Sequence, residues 1–308
     1  MNKVIRFFKF LRDYKKENEM PRVANYEITS NCNLKCVHCY WWKSNNSKND
    51  LTSEEWVEVF LDHKSKGVSM AFLTGGEPSL RPEVIDSADR IFTGMAIASN
   101  GVKKIAGRIN RRLFISIDGP REVHNRIRRA DIFDKVLENI RNDKRVIIAP
   151  TLSMMNYKYI DELVQIARDS NVEGITFALY TSHSDENDPL LLTGSELEQT
   201  IAELHKAWKK NRDIVFMTPY IIELFREKDH RHDCFFRGKN FISFDPVMNE
   251  KNPCVLGPGV VCRTCGCNVP MISYALKKAD FRAWFMLNRM FPQKYFRSLD
   301  RELLQPQN

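Results

Sequence analysis

The sequence predicts an α/β fold, a single barrel-like unit of parallel strands with a small appendage. Three observations carry that expectation. A length of 308 residues suits one such unit. Between residues 25 and 180, strand-like and helix-like runs alternate about six times, and such repeats mean parallel strands joined by right-handed crossovers. All eight cysteines fall in two groups, within residues 32–39 and 234–267, so the second group marks off a separate C-terminal module.

Residues 1–16 have the period of an amphipathic helix. Val4, Phe7, Phe8, Leu11 and Tyr14 recur at helical spacing, while Arg6, Lys9, Arg12 and Lys16 lie elsewhere on the wheel. Aromatics opposite basic residues suit a helix in a membrane interface, or equally one packed on the barrel. Pro21 ends this element. Strands are expected at 25–29, 70–74, 95–99, 113–118, 147–153 and 174–180. They are short and apolar, as when both faces of a sheet are covered. Helices are expected at 52–66, 82–90 and 122–141, with a shorter piece at 102–107 and a further helix at 157–170. Thr52-Ser53-Glu54-Glu55 makes a good helix start, with acids in the first turn. Residues 183–189 read as a polar loop, followed by a helix at 195–210, a short run at 214–217 and a helix from Pro219. Residues 274–296 are rich in aromatic, Met and basic residues, which suits a second interfacial helix or a lid packed on the barrel mouth. The domain division is therefore 1–20, 21–213 for the barrel, 214–233 as connection, 234–270 for the cysteine module and 271–308.

Composition narrows the function classes. An apolar fraction of 43% is enough for a sizeable core and excludes a disordered chain. No apolar run is long enough to span a bilayer and no signal peptide opens the chain, so a cytoplasmic protein is expected. There, thiols stay reduced, and clustered cysteines bind metal more often than they form disulfides. The net charge of +8 points to an acidic partner, whether nucleic acid, anionic lipid or anionic substrate.

The densest chemistry lies in Asn31-Cys32-Asn33-Leu34-Lys35-Cys36-Val37-His38-Cys39-Tyr40, where three cysteines are spaced C-x3-C-x2-C. A cubane iron–sulfur cluster held wholly by protein takes four cysteines, so three on one loop leave one iron open. A structural zinc with His38 as its fourth ligand is the alternative. With this spacing, just after a strand-like run, the loop resembles the cluster loop of radical S-adenosylmethionine (SAM) enzymes. The resemblance implies that Cys32, Cys36 and Cys39 hold a [4Fe–4S] cluster whose open iron chelates SAM. Reductive cleavage of SAM then yields a 5′-deoxyadenosyl radical. The six units likewise resemble that family's partial (β/α)6 barrel of TIM type.

In a parallel barrel, ligands gather at the carboxyl ends of the strands, and each further motif falls at such an end. Thr74-Gly75-Gly76-Glu77-Pro78 resembles the family's GGE motif. There the glycine backbone and Glu77 hold the SAM amino group. By the same resemblance, Ser99 and Asn100 lie near the adenosyl moiety, and Ser116 and Asp118 near the SAM ribose and carboxylate. Asp118 is equally suited to cap the next helix. In His124-Asn125-Arg126-Ile127-Arg128, Arg128 matches the arginine that pairs with the SAM carboxylate. Asn156 is a further candidate for adenine or ribose contact, and Tyr40 packs near the adenine. His38 belongs behind the cluster ligands, not among them.

The second group is Cys234, Cys254, Cys262, Cys265 and Cys267. A run from Cys234 to Cys254 looks like a small hairpin opened and closed by cysteines, and resembles the SPASM and Twitch modules that bind auxiliary [4Fe–4S] clusters. Five cysteines suffice for one such cluster, with Cys254, Cys262, Cys265 and either Cys234 or Cys267 as ligands. The Cys262–Cys267 spacing is more compact than the standard pattern, and zinc is the alternative. The layout also resembles adenosylhopane synthase and related radical SAM proteins acting on lipids. Because amphipathic, basic and aromatic stretches bracket the barrel at both ends, a membrane lipid is the expected substrate, with peripheral contact at the inner face of the membrane. The alternatives are a peptide-modifying enzyme of SPASM type and a non-catalytic zinc-binding interaction protein. An electron donor such as ferredoxin or flavodoxin is implied, and no nucleic acid.

Overall fold

The computed structural model describes residues 20–41, 49–183, 185, 187–227 and 234–295. The N-terminal amphipathic helix lies outside these residues. Parallel strands dominate, as the alternating pattern requires. The chain runs β1 (Val23–Glu27), α1 (Ser53–Ser65), β2 (Met70–Thr74), α2 (Pro82–Ile91), β3 (Gly94–Ser99) and β4 (Arg112–Ile115). Then come α3 (Arg121–Arg128), α4 (Phe133–Ile140), β5 (Val146–Ile148), β6 (Thr151–Leu152), α5 (Ile160–Asp169), β7 (Gly174–Ile175) and β8 (Ala178–Leu179). After α6 (Gly194–Lys210) and α7 (Pro219–Glu223), β9 (Phe241–Phe244), α8 (Asn268–Lys277) and α9 (Phe281–Met290) complete the order. The main sheet is ordered β7-β5-β4-β3-β2-β1-β9, with β6 and β8 paired beside it. Every one of these pairings is parallel.

Several expected elements differ for physical reasons. The strand expected at 147–153 is split into β5 and β6, and 174–180 into β7 and β8. The break falls at Pro150, which has no N–H to donate to a ladder, although its carbonyl still accepts from Ala178 N. The helix expected at 122–141 divides at Arg129, which adopts a left-handed conformation with φ of 55°. No helix forms at 102–107, which is bend and turn. The 234–254 run is not a simple hairpin, because its strand β9 joins the barrel sheet parallel to β1. Thr52 caps α1 as expected, its side chain accepting from Glu55 N while Glu55 reaches back to Thr52 N.

The core lies between sheet and helices, with Tyr26, Trp56, Phe60 and Phe92 packed edge to face or stacked. The aromatic and basic C-terminal segment closes the end of the barrel opposite the site. Trp284, Met286, Met290 and Tyr295 are buried there, and Phe291 meets the rings of Phe72 and Phe114. The fully buried Arg112 fastens this plug. It donates to the carbonyls of Met290, Lys144 and Arg145 at 2.5, 3.2 and 3.0 Å, and stacks 4.6 Å from the Tyr295 ring. This segment is neither a lid on the barrel mouth nor a free interfacial helix, although Phe281 and Phe285 are exposed. Among the described residues, no helix is long and apolar enough to cross a membrane.

Loss of the Arg112 guanidinium would leave buried carbonyls unsatisfied. Arg112→Met is expected to destabilise the fold by about 3 kcal/mol or more, at roughly 1–3 kcal/mol per orphaned group. Urea unfolding of the purified variant measures this.

Candidate active site

At the carboxyl end of the sheet lies a cavity of ≈ 350 Å³. All eight cysteines line it, three from the loop after β1 and five from the C-terminal module. Its wall also carries Tyr40, Gly75, Gly76, Glu77, Ser99, Asn100, Ser116 and Arg128. Two cysteine groups far apart in sequence therefore face one space.

The cysteine loop is pinned from several elements. Val37 N donates to Ile127 O at the end of α3, and Cys39 N donates to Cys36 O. Asn100 Nδ2 reaches Asn33 Oδ1 at 2.8 Å, and Trp41 Nε1 reaches Ser30 O at 3.1 Å. Beneath the loop lies the Gly75–Gly76 turn. Gly75 has φ of 126°, and a Cβ there would stand 2.6 Å from Thr29 O. A Cβ on Gly76 would stand 2.2 Å from Asn31 O. These glycines are required by the approach of two backbones, sealed by Gly76 N to Thr29 O and Glu77 N to Asn31 O, both at 2.8 Å.

Glu77 is buried, and its carboxylate accepts from Ser79 N at 2.9 Å and from Ser99 Oγ and Asn100 N, both at 2.7 Å. It thus ties the ends of β2 and β3 together at the cavity wall. Arg128 pairs with Asp118 at 2.6 Å and places a guanidinium nitrogen 3.6 Å from Cys36 Sγ. Despite its burial, Asp118 is held below the usual carboxylate range, chiefly by Arg128. Asp118 and Asn156 are absent from the cavity wall. Asp118 is spent on Arg128 and Thr151 N. Asn156 donates to the carbonyls of Asp118 and Thr151 and accepts from Ser153 N. Both are fasteners of the strand-end loops in this geometry. Ser116 does reach the cavity, but β4 ends at Ile115, so Ser116 and Asp118 belong to the following loop.

The C-terminal module is stitched to the other side of the barrel mouth. Leu179 N donates to Gly266 O at 2.7 Å, Gly266 N to Thr181 Oγ1 at 2.9 Å, and Ser182 N to Thr264 Oγ1 at 3.0 Å. A Cβ on Gly266 would lie 2.3 Å from Leu179 O. That contact explains the compact Cys265-Gly266-Cys267 spacing, since only glycine lets the segment lie against β8. On the β1 side, Tyr40 Oη lies 3.2 Å from Glu27 Oε1 and 3.1 Å from Val255 O, and Lys251 Nζ pairs with Glu27. Burial, only partly offset by Lys251, pushes the Glu27 carboxyl up to about 7.

Burial pushes Cys32 and Cys265 up to about 11 and Cys267 well above the ordinary thiol value. Within each group the cysteines also raise one another. The donor set fits sulfur-ligated polynuclear clusters: three mutually interacting thiols on one loop and five in the C-terminal module, all facing a space with room for a ligand.

Sequence reasoning missed Tyr180, Thr181, Phe236 and Arg237, which also line the cavity. Tyr180, whose hydroxyl donates to Asp188 at 2.8 Å, was findable because it ends the sixth strand run, at 174–180.

Comparison with known proteins adds the family. The model of the radical SAM superfamily matches residues 26–169. An AdoMet-dependent heme synthase from Methanosarcina barkeri is 30% identical over 188 residues, 54% of this chain and 54% of that protein. The sporulation killing factor maturation protein SkfB of Bacillus subtilis is 28% identical, covering 48% of this chain and 40% of its own. The chain spans about half the length of the curated relatives it matches. In fold, it is similar to Streptococcus suis SuiB bound to S-adenosylmethionine, with a TM-score of 0.58, 11% identity, and coverage of 96% of this chain and 80% of that one. It is also similar to anSMEcpe with bound AdoMet, at a TM-score of 0.62 and 15% identity over 87% and 85% of the two chains.

Two predictions come from this geometry. Gly266→Ala is expected to displace the Cys265–Cys267 segment, so metal held by the C-terminal cysteines falls while metal at the 32–39 loop is retained. Iron analysis of this variant beside a variant lacking Cys32, Cys36 and Cys39 measures both. The second concerns Glu27, which holds its proton in the folded state to about pH 7 but releases it near 4.5 when unfolded. Folded protein thus binds more protons between those values, so its contribution to stability falls as pH rises through that window. Melting temperatures of metal-free protein should show the decline, and Glu27→Gln should remove it.

Proposed function

Residues 26–169 belong to the radical SAM superfamily, and from that premise we propose that this protein is a radical SAM enzyme that modifies an unactivated carbon of a peptide. The observation that carries the reading is the single cavity shared by all eight thiols and the Gly75-Gly76-Glu77 turn. In this reading Cys32, Cys36 and Cys39 hold a [4Fe–4S] cluster with one open iron, where SAM binds. Cluster and SAM together supply a carbon-centred radical able to take hydrogen from an unactivated C–H bond. The chain's own residues bind, orient and enclose. Glu77, already accepting three hydrogen bonds, presents a carboxylate toward the SAM ammonium, and Ser99, Asn100 and Ser116 offer polar contacts along the same wall. Asp118 holds Arg128 charged at the cavity wall, where its guanidinium would meet the carboxylate of bound SAM. Tyr40 contributes an aromatic face beside the third cysteine. Four of Cys234, Cys254, Cys262, Cys265 and Cys267 hold an auxiliary cluster on the facing wall.

A peptide substrate is supported by the relatives SkfB and the mycofactocin maturase MftC of Mycobacterium tuberculosis, and by SuiB, which binds a precursor peptide. The lipid reading loses one of its two supports, because the aromatic C-terminal segment is packed into the barrel. A tetrapyrrole is a second reading, favoured by similarity to a heme synthase, Fe-coproporphyrin III synthase and pre-heme d1 synthase.

Anaerobically prepared protein should carry about eight irons if both sites hold [4Fe–4S] clusters. Alanine at Cys32, Cys36 and Cys39 should remove about half of them and all SAM cleavage. Release of 5′-deoxyadenosine, measured with a pooled peptide library and with Fe-coproporphyrin III, separates the two substrate readings. A colourless protein with stoichiometric zinc and no SAM cleavage would overturn the proposal.

A further inference from the structure

Glu27 and Lys251 form a buried ion pair between residues 224 apart in sequence. Glu27 ends β1, just before the cysteine loop, and Lys251 lies three residues before Cys254. Their side chains are 1% and 10% exposed. Glu27 Oε2 has no hydrogen-bond partner among the described residues. Lys251 Nζ also lies 5.2 Å from the Tyr40 ring centroid and 5.4 Å from that of Trp41, so it touches the end of the cysteine loop through its rings. The Tyr40 hydroxyl shares its single proton between Glu27 Oε1 and Val255 O, the carbonyl following Cys254. Tyr40 stands between the two thiol groups, close enough to Cys39 and Cys254 that either, when ionised, pushes its phenol up.

Stability does not account for such a pair. Removing charges from water costs several kcal/mol per ion by the usual reckoning, roughly cancelling their attraction, and an apolar replacement of both partners is often neutral. The incomplete satisfaction of Glu27 makes the stabilising case weaker still. Position is the feature that sets this pair apart. It borders Cys254, on which the Lys251 charge acts directly, and meets the end of the 32–39 loop through Tyr40 and Trp41, in a buried region where a fixed charge acts strongly on any group that changes charge.

We propose that Glu27, Lys251 and Tyr40 are positioning residues for both metal sites, joining the Cys254 segment to the 32–39 loop and setting the reduction potentials of the two clusters through the Glu27–Lys251 charges. The inference rests on the cluster reading above. One-electron reduction adds negative charge to a cluster, so a nearby cation raises its potential and a nearby anion lowers it.

The test is a redox titration of anaerobically loaded protein, followed by electron paramagnetic resonance at several pH values from 8 upward, because Lys251 holds the Glu27 carboxyl down and its removal moves Glu27 ionisation to higher pH. Lys251→Met should shift both cluster potentials to more negative values. Glu27→Gln should shift them to more positive values. The double variant, which removes both buried charges, should return close to the parent, and Lys251→Arg should stay there throughout. Potentials that do not move, or that move in the same direction in both single variants, would overturn the inference while leaving the cluster reading intact. Iron content distinguishes the failures, since parent protein without iron–sulfur signals would overturn both. A merely structural strut would change iron retention without opposite-signed shifts.

Discussion

Three backbone approaches with no room for a methyl group hold the cavity together. Gly75 and Gly76 lie under the exit of β1, and Gly266 lies against the exit of β8. Each fixes a cysteine-bearing segment to a strand end at a distance that a Cβ would not permit. The first pair places Cys32 directly above the turn that carries Glu77. The third lets Cys265 and Cys267 flank one residue and still face the same space. The sheet supplies the frame, because its parallel strands bring every strand exit to one end. Pinning both cysteine segments to such exits makes one chamber out of two sequence clusters.

Polar side chains around the chamber divide into those facing the cavity and those holding the wall. Ser99, Asn100, Ser116 and Arg128 reach the space. Asp118 and Asn156 stand behind it, orienting Arg128 and tying the loops after β4 and β6. Glu77 does both, since its carboxylate is bound by two backbone N–H groups and a serine while still lining the cavity. A carboxylate already satisfied by three hydrogen bonds is costly to move, so this part of the wall is rigid. The plug around Arg112 and Phe291 closes the opposite end of the barrel and leaves the mouth to the cysteine module.

Much of this was legible in the sequence. Residues 70–74 form β2 as expected, because a short apolar run followed by Gly-Gly has few other uses. The C-x3-C-x2-C loop and the second cysteine group marked the site before any fold was known. Other features were hidden for definable reasons. Asp118 and Asn156 have the same residue types at strand ends as the side chains that line the cavity, and only the hydrogen bonds show that they stand behind its wall. The aromatic and basic run at 274–296 reads the same whether it meets a membrane or buries its aromatics, and packing decides. The Glu27–Lys251 pair is invisible to local pattern, because it depends on β9 adding to the β1 edge and bringing the Lys251 segment back across the mouth.

The central claim is that one cavity holds two sulfur-ligated iron clusters facing each other. Anomalous X-ray scattering at the iron edge, from anaerobically grown crystals, tests it most directly. The account predicts two iron maxima in the cavity, one over Cys32, Cys36 and Cys39 and one among the C-terminal cysteines. A single maximum, or signal at the zinc edge alone, would contradict it.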